Sequence, residues 1–327
     1  MAILDELRKV RKQGGDRPTK ATRDRSALVW MTPWIIGFLV INLVPMLWSF
    51  YLSFTRFRLL DDPTWIGLDN YSSLMGDARF HQSLRVTFTF VLVGVPLQLL
   101  VALLIALLLD RGMRGLAFYR TSLYLPSMMG GSVAIAIMWR LVFGTEGLVN
   151  EFLTLPGVTQ VREFFCGIDW WPLCLEPMGW VSHPDTALWT IILLHVWTFG
   201  SPMIIFLAGL RQIPVMYYEA ASMDGASKWR QFRSITIPML TPIILFNLVL
   251  QTISAFQSFT QAFIVSGGTG GPADSTLFYS MLLFLRAFRA PIQMGNAAAM
   301  GWILVLIIGA ATALIFATSK WWVHYDD

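Results

Sequence analysis

Long uncharged stretches alternate with short polar segments along the whole of this 327-residue chain. Crossing the hydrocarbon core of a membrane takes roughly 20 apolar residues as a helix, and a helix is the element that pairs its own backbone groups there. The chain contains uncharged runs of about that length at 26–55, 86–109, 121–139, 186–210, 234–273 and 290–319. The pattern therefore predicts an all-α integral membrane protein with six transmembrane helices.

Charge supports this interpretation and orients the chain. Only 13% of the residues are charged, against about 25% in soluble domains. The polar segments 1–25, 110–120, 211–233 and 320–327 hold 16 of the 24 Lys and Arg residues. Basic residues accumulate on the cytoplasmic side of membrane proteins, so we expect both termini in the cytoplasm of a prokaryotic cell with this chain in its inner membrane. The net charge of +4 then reflects topology, and no nucleic-acid partner is predicted.

The boundaries follow from the same pattern. We predict a cytoplasmic tail at 1–27, a six-span domain at 28–319 and a short cytoplasmic tail at 320–327. Prolines predict a tilt or kink in span one and a break at Phe199–Pro202 in span four. Span three is expected as one helix over 121–139, and span five is expected to continue from about Ile235 to Val265. The glycine-rich stretch Ser266–Pro272 should then leave the membrane, and span six should cover 296–318.

The loop between spans four and five carries the most specific signal. Residues 219–238 follow the pattern E-A-A, three residues, Gly225, nine residues, then Ile235 and Ile237-Pro238. This resembles the coupling loop of the permease subunits of binding-protein-dependent ABC importers, E-A-A-x3-G-x9-I-x-L-P, with Ile237 in place of leucine. We call residues 211–238 the EAA loop.

Two further strings resemble the same family. Gly67-Leu68-Asp69-Asn70-Tyr71 matches a G-L-x-N-Y string frequent in its carbohydrate branch, the maltose- and glycerol-phosphate-permease-like group. There we expect Gly67 and Asn70 to adopt special backbone conformations. Tyr119-Arg120, Leu125-Pro126 and Trp139 resemble the family's fR…lP…W run.

The resemblance implies a type I ABC importer permease fold and a non-catalytic subunit that forms half of a pathway for a mono- or oligosaccharide. The implied partners are a second six-span permease, two ABC ATPase subunits and an external solute-binding protein. This chain has no phosphate-binding G-x-x-x-x-G-K-[ST] motif. We therefore expect it to bind no cofactor itself, with ATP and Mg²⁺ held by the partner ATPase.

Local physics suits the EAA loop to docking. Pro214 fits a first helical position, a short helix should end near Gly225, and Asp224 or Ser227 should cap a second helix that leads into span five. Glu219 is expected to make a charge-assisted contact with the ATPase. Trp229 and Phe232 are either apolar anchors for the ATPase or packed on this chain's own spans. The predicted coupling residues are Glu219, Ala220, Ala221, Asp224, Gly225, Trp229, Phe232 and Pro238.

A candidate substrate path lies in span five. Its uncharged polar residues recur approximately on one helical face, which should point to protein or water because unpaired amides are costly in lipid. Hydrogen bonding between helices explains the same pattern, so both interpretations stay open. The kinked region of span four adds two weaker candidates. The predicted pathway residues are Asn247, Gln251, Ser254, Gln257, Ser258, Gln261, Trp197 and Gly200.

Other features leave alternatives open. Cys166 and Cys174 in the long outer loop 144–186 form a disulfide or are two free thiols, and that loop caps the spans or contacts an external protein. His195 is a packed histidine or a proton relay. No paired ligand spacing predicts a metal site.

Rival functions follow from single features. Arg140, Arg286 or Arg289 could meet the phosphate of glycerol phosphate or another polyol. An ion-coupled secondary transporter should carry carboxylates within its spans, and none of the six runs contains one. A membrane-embedded enzyme should show a metal or nucleophile motif such as H-E-x-x-H or G-x-S-x-G, and neither occurs.

Overall fold

A computed structural model describes residues 25–110, 115–160 and 177–324, and helices form nearly all of their regular structure. The described residues up to Tyr51 belong to one compact unit and those from Leu52 onward to a second. Cys166 and Cys174 lie outside the described residues, so a disulfide and two free thiols both stay open.

Span one consists of α1 (Arg25–Gly37), a π-helical stretch (Phe38–Leu43) and α2 (Val44–Ser53). The N–H of Val44 bonds the carbonyl of Leu39, five residues back. Proline has no N–H to donate, and the wider π-helical bonding lies immediately before Pro45. Span one therefore contains a π-helical stretch between its two prolines, and the expected tilt or kink stays a prediction.

The other elements whose bounds are described lie in the second unit. A two-residue antiparallel pair, β1 (Thr55–Arg56) and β2 (Thr64–Trp65), opens it. The helices that follow are α3 (Asp69–Met75), α4 (Ala78–Asp110), α5 (Leu116–Met129), α6 (Val133–Val142), α7 (Leu148–Leu153), α8 (Pro184–Trp197), α9 (Gly200–Leu210), α10 (Val215–Met223), α11 (Lys228–Gln231), α12 (Ile237–Phe256), α13 (Thr260–Val265), α14 (Tyr279–Phe288) and α15 (Met294–Ser319). A π-helical stretch (Phe232–Thr236) joins α11 to α12, and a 3-10 turn (Pro272–Asp274) precedes α14.

Among the described residues, four apolar helices are long enough to cross a membrane: Trp30–Ser53, Ala78–Asp110, Lys228–Phe256 and Met294–Ser319. Two bent pairs complete six spans if each pair is counted as one. The helices α5 and α6 meet at 95°, and α8 and α9 meet at 41°. The all-α, six-span prediction is confirmed on that count.

Two predicted spans need correction. Span three is not one helix over 121–139, because Gly130, Gly131 and Ser132 interrupt it and Ser132 caps α6 by accepting a bond from the N–H of Ile135. A Cβ on Gly130 would overlap the Thr198 side chain, so this corner requires a glycine. Span five ends at Phe256, and the short helix α13 follows after a break.

Helix α4 is the centre of the second unit and packs against α8, α9, α12 and α14. Gly94, Gln98, Ala102 and Ala106 recur every four residues and share one face. Small residues let neighbouring helices approach closely in membranes, and the ring of His195 lies within 3.3 Å of where a Cβ on Gly94 would stand. This stripe therefore positions α8 beside α4.

Helix α14 was not predicted, since its ten residues are too few to span a membrane. It begins at the fully buried Tyr279, with the fully buried Phe278 as its N-cap. The N–H of Tyr279 donates to Thr87 Oγ1 at 2.9 Å, and its hydroxyl donates to the carbonyl of Met300 at 2.8 Å. These bonds tie α14 to α4 and α15, so the chain after the glycine-rich turn folds back into the helical core.

Two asparagines stabilise the loops that were expected outside the membrane. Asn70 donates to the carbonyls of Ser53 (2.8 Å) and Thr55 (2.9 Å) from within α3. Its backbone is therefore helical, contrary to expectation, whereas Gly67 does have a positive φ of 60°. Asn150 bonds both the backbone of Met178 and the indole of Trp180, which joins the described ends of loop 144–186.

Candidate functional site

The EAA loop forms two short helices that meet at a glycine. Helix α10 ends at Met223, Gly225 has a φ of 76°, and α11 begins at Lys228. Positive φ is favourable for glycine and strained for residues with a Cβ. Of the two proposed caps, Ser227 performs this role, because its Oγ accepts from the N–H of Arg230 at 3.4 Å. Pro214 occupies the N-cap of α10, one position before the predicted one.

Gln231 holds the two short helices together and was not predicted. It is buried, and its Nε2 donates to Ser222 Oγ at 2.9 Å and to the carbonyl of Ala226 at 3.2 Å. Tyr218 and Thr236 share a hydroxyl–hydroxyl bond of 2.9 Å. These bonds join α10 to the segment that leads into α12, so side chains on both sides of the turn hold it in place.

The outer surface of this loop exposes apolar groups. Trp229 is 70% exposed and Met223 is 89% exposed. The rings of Trp229 and Phe232 lie 5.5 Å apart, with Phe232 half-buried beneath. Trp229 is therefore not buried on this chain's own spans, which leaves it available to a partner.

The remaining predicted coupling residues occupy the same loop. Glu219 and Ala220 are exposed on α10, and the Glu219 carboxylate has no ion-pair or hydrogen-bond partner in the described part of the chain. Ala221 is half-buried, Asp224 lies at the C-cap of α10, and Pro238 is half-buried in the first turn of α12.

A second site lies where three broken helices meet. A cavity of about 480 Å³ is bounded by the α5–α6 corner, the α8–α9 break, the α12–α13 break and Gln98 of α4. Among the described residues that line it, none carries a carboxylate, Lys or Arg side chain. We call it the polar cavity. Five of the predicted pathway residues line it: Gln251, Ser254, Gln257, Ser258 and Gln261.

Side chains satisfy the backbone groups that the breaks leave open. Ser127 Oγ donates to the carbonyl of Thr198 at 2.9 Å and accepts from the N–H of Ser201 at 3.0 Å. Gln261 Nε2 donates to the carbonyl of Gly130 at 3.2 Å. Broken helices persist at membrane depth only where such partners or a cavity replace the lost bonds. The breaks therefore support one another across the polar cavity.

Two buried polar atoms at this cavity have no protein partner among the described residues. They are Gln98 Oε1 and His195 Nε2. Gln98 Nε2 is engaged, since it lies within 3.2 Å of the carbonyls of His195 and Thr198. His195 packs at 5.0 Å from the ring of Phe90. Buried polar groups normally have a partner, so both side chains keep unused hydrogen-bonding capacity beside the polar cavity.

Three predicted pathway residues do not line the polar cavity. Asn247 is fully buried one helical turn before Gln251, and neither amide atom has a partner in the described ranges. Trp197 packs 6.1 Å from the ring of Trp139. Gly200 lies against α5, where a Cβ would come within 2.6 Å of Ser127 Oγ and 2.7 Å of the carbonyl of Leu123. It is a packing position.

Sequence reasoning missed part of the lining. Gln98 is a lone amide in an apolar run. It lies four residues from both Gly94 and Ala102, and this spacing could have placed it on the helix face that packs against other helices. The other missed polar lining residues are Ser127, Thr198, Ser201 and Thr260. Within the described residues no group of three His, Cys, Asp or Glu side chains could hold a metal.

Broken apolar helices around an uncharged polar cavity, with an EAA loop at one end, define the permease class of membrane transport proteins. Residues 72–325 match the family described as binding-protein-dependent transport system inner membrane component, and the chain belongs to that family.

Curated relatives cover nearly the whole chain. It is 53% identical over 299 residues to the probable ABC transporter permease protein YesP of Bacillus subtilis (strain 168), covering 91% of each chain. It is 32% identical to the lactose transport system permease protein LacF of Rhizobium radiobacter, covering 92% of this chain and 99% of that one.

A solved structure supports the fold. A chain of a bacterial alginate ABC transporter, crystallised with an alginate pentasaccharide-bound periplasmic protein, superposes with a TM-score of 0.74 at 20% identity. The match covers 91% of this chain and 95% of that one. The type I importer permease fold is thereby confirmed.

Proposed function

We propose that this chain forms half of the translocation pathway of an ATP-driven importer for a mono- or oligosaccharide. The observation that carries this proposal is the convergence of three helix breaks on one uncharged polar cavity. Amides and hydroxyls match the hydroxyl groups of a sugar without the desolvation cost of a buried charge. Relatives named for lactose, trehalose/maltose and arabinooligosaccharide transport support the substrate class.

The pathway includes the five lining residues predicted from span five, together with Gln98 and His195. In this role Gln98 Oε1 and His195 Nε2 bond solute hydroxyls or the waters that travel with them. Solute passage requires sites that bind weakly enough to release, and single neutral hydrogen bonds of about 1 kcal/mol suit that requirement.

The EAA loop is the proposed link to ATP hydrolysis. Its exposed Trp229, Met223 and Glu219 dock on an ABC ATPase subunit, with Glu219 facing a basic group. Gln231 and the Tyr218–Thr236 bond make the loop stiff enough to transmit movement to α12. ATP and Mg²⁺ are held by the ATPase, and this subunit is not itself an enzyme.

The proposed complex contains a second six-span permease, two ATPase subunits and an external solute-binding protein. Both termini and the EAA loop lie on the cytoplasmic side of the inner membrane, as the distribution of basic residues indicates. ATP binding brings the two EAA loops together and opens the polar cavity outward, and hydrolysis resets it.

The first experiment is gentle affinity purification from the native membrane followed by mass spectrometry and sugar uptake assays. Stoichiometric recovery of a phosphate-loop ATPase and a second six-span chain, with sugar uptake, is the expected result. Recovery of this chain alone in several mild detergents would contradict the proposal and favour a secondary transporter.

Gly225→Val tests the loop within that complex. A Cβ at Gly225 meets no atom within 4 Å, so the strain of its positive φ is the main effect. We expect normal insertion with reduced ATPase association and transport. Gly157→Val is the matched control, because its site is equally open and has no positive φ. Full transport by Gly225→Val would count against the coupling role.

A further inference from the structure

A second cavity lies at the opposite end of α4 from the EAA loop. Asp110, at the C-terminal end of α4, pairs with Arg211 of the EAA loop at 3.9 Å. The 33 residues of α4 extend about 50 Å from there. Near its first residues a cavity of about 490 Å³ is lined by three arginines, Arg79, Arg286 and Arg289. We call it the arginine cavity.

Two of these arginines are neutralised within the chain. Arg79 binds Asp274 through two bonds, Nε to Oδ2 at 2.9 Å and Nη2 to Oδ1 at 2.8 Å. Arg286 pairs with the carboxylate of Asp77 and bonds the amide oxygen of Asn296. Burial raises the pKa of Asp77, but the backbone N–H of Arg79 and the charge of Arg286 outweigh it, so that pKa is lowered. Asp77 is therefore ionised at neutral pH.

The third arginine is uncompensated. The Arg289 guanidinium has no ion-pair or hydrogen-bond partner within residues 25–110, 115–160 and 177–324, although it lines the cavity wall. Its Nη2 lies 3.4 Å from the position of a Cβ on Gly268, in the glycine-rich turn. Arg140 approaches the neighbouring Gly267 in the same way, at 3.5 Å from Nη1. A positive charge with spare donors thus faces a concave space.

Arginine is the cation suited to this task. Its planar fork binds the two oxygens of a carboxylate or phosphate at once, which lysine does not do. All five lysines of the chain lie in the segments assigned to the cytoplasm, and the basic residues between those segments are all arginine. The volume is that of a small-molecule pocket, and its concave shape favours a solute over a flat protein surface.

A row of phenylalanines extends from the polar cavity toward Arg289. Phe259 lines the polar cavity, and its ring lies 5.1 Å from the rings of both Phe263 and Phe284. Phe284 lies 5.1 Å from Phe288, next to Arg289. Phe263 also comes within 3.1 Å of the Cβ position on Gly268, the glycine that Arg289 approaches. Partly exposed aromatic rings offer flat apolar faces on which the C–H face of a sugar can pack.

We propose that the arginine cavity is an outer subsite for a solute that carries an oxyanion, either the carboxylate of an acidic sugar or the phosphate of a polyol. Arg289 binds the oxyanion, and the phenylalanine row leads the rest of the solute toward the polar cavity. This inference rests on the proposed transport function and extends its substrate class to anionic solutes.

Direct binding tests the subsite apart from transport. The complete wild-type complex in lipid nanodiscs is titrated by saturation-transfer NMR with digalacturonate, with its neutral twin digalactose, and with glycerol phosphate. We expect at least one anionic solute to bind about ten-fold more tightly than digalactose, as one charge-assisted bond allows. Tighter binding of digalacturonate would identify a sugar carboxylate as the ligand group, and tighter binding of glycerol phosphate would identify a phosphate.

The variant Arg289→Gln should abolish that preference and leave digalactose binding unchanged. Arg85→Gln is the matched control, since Arg85 is exposed near the same end of α4 but lines neither cavity. Arg286 is not substituted, because its loss would leave the Asp77 carboxylate without its ion-pair partner. No preference in the wild type, or a preference that survives Arg289→Gln, overturns the inference. Uptake assays on the same complex report separately on the proposed function, which stands if neutral sugars alone are carried.

Discussion

The EAA loop and the polar cavity differ in how their residues are brought together. The loop is one continuous segment whose turn is set by Gly225 and whose brace, Gln231, lies six residues away. The polar cavity draws on four segments between Gln98 and Gln261. A local motif therefore specifies its geometry in the sequence, whereas the cavity exists only after helices distant in the chain have packed.

The largest effect is expected where the cavity depends on close helix packing. Gly200→Leu places a Cβ within 2.9 Å of Tyr124 Cα and of two oxygen atoms on α5. Overpacking of this kind costs about 3 kcal/mol, so we expect little monodisperse protein by size-exclusion chromatography and a lower thermal unfolding midpoint.

Gly309→Leu is the control for that substitution, because a Cβ there meets no atom within 4 Å. It should behave like the wild type. A folded Gly200→Leu protein that had lost only transport would instead place Gly200 in the pathway, as the sequence pattern predicted.

The next prediction concerns the EAA loop. A substitution at its exposed surface should leave the stability of the fold unchanged and should weaken association with the ATPase. Trp229→Ala removes a 70% exposed ring. Its effect on the free energy of unfolding should be within about 0.5 kcal/mol, as for other exposed sites. If Trp229 is an interface anchor worth about 2 kcal/mol, ATPase affinity falls by roughly 30-fold, measurable by biolayer interferometry on purified components.

Trp321→Ala provides the comparison, since Trp321 is 85% exposed beyond the end of α15 and lies outside the EAA loop. ATPase affinity should be unchanged in that variant. Equal losses for the two tryptophans would show a general apolar effect and contradict a specific role for Trp229.

A smaller effect is expected from one polar group in the cavity. Gln257 is exposed to the polar cavity at the end of α12. Gln257→Ala should raise the KM for sugar transport by about five-fold, the value of one neutral hydrogen bond of about 1 kcal/mol. Gln82→Ala, which lines neither cavity, should leave the KM unchanged. An unchanged KM in Gln257→Ala would remove this residue from the pathway.

The same contrast explains what could be predicted from the sequence. Uncharged length predicted six spans, and proline and glycine placed the break in span four and the turn at Gly225. The corner at Gly130–Ser132 was missed because three small residues do not interrupt an apolar run. Helix α14 was missed because burial at Phe278 and Tyr279, rather than length, makes it part of the core. Gln98 and Gln231 act through partners that only the folded chain supplies.

The smallest effect concerns Asn247, where helical periodicity and packing disagree. Asn247 and Gln251 are one turn apart and were predicted on a common polar face, yet Gln251 lines the polar cavity and Asn247 is fully buried without an amide partner in the described residues. An unsatisfied buried amide costs about 1–3 kcal/mol. Replacing the amide group by an apolar group of similar shape should therefore recover part of that free energy.

We accordingly expect Asn247→Leu to keep transport and to raise the thermal unfolding midpoint by a few degrees, the shift that about 1 kcal/mol produces in a chain of this size. Gln251→Leu should keep the midpoint and lower sugar uptake, because it removes a hydrogen-bonding group from the cavity wall. The reverse result, with transport lost in Asn247→Leu and kept in Gln251→Leu, would mean that the solute follows the face predicted by periodicity. The polar cavity would then be a packing defect between broken helices rather than the pathway.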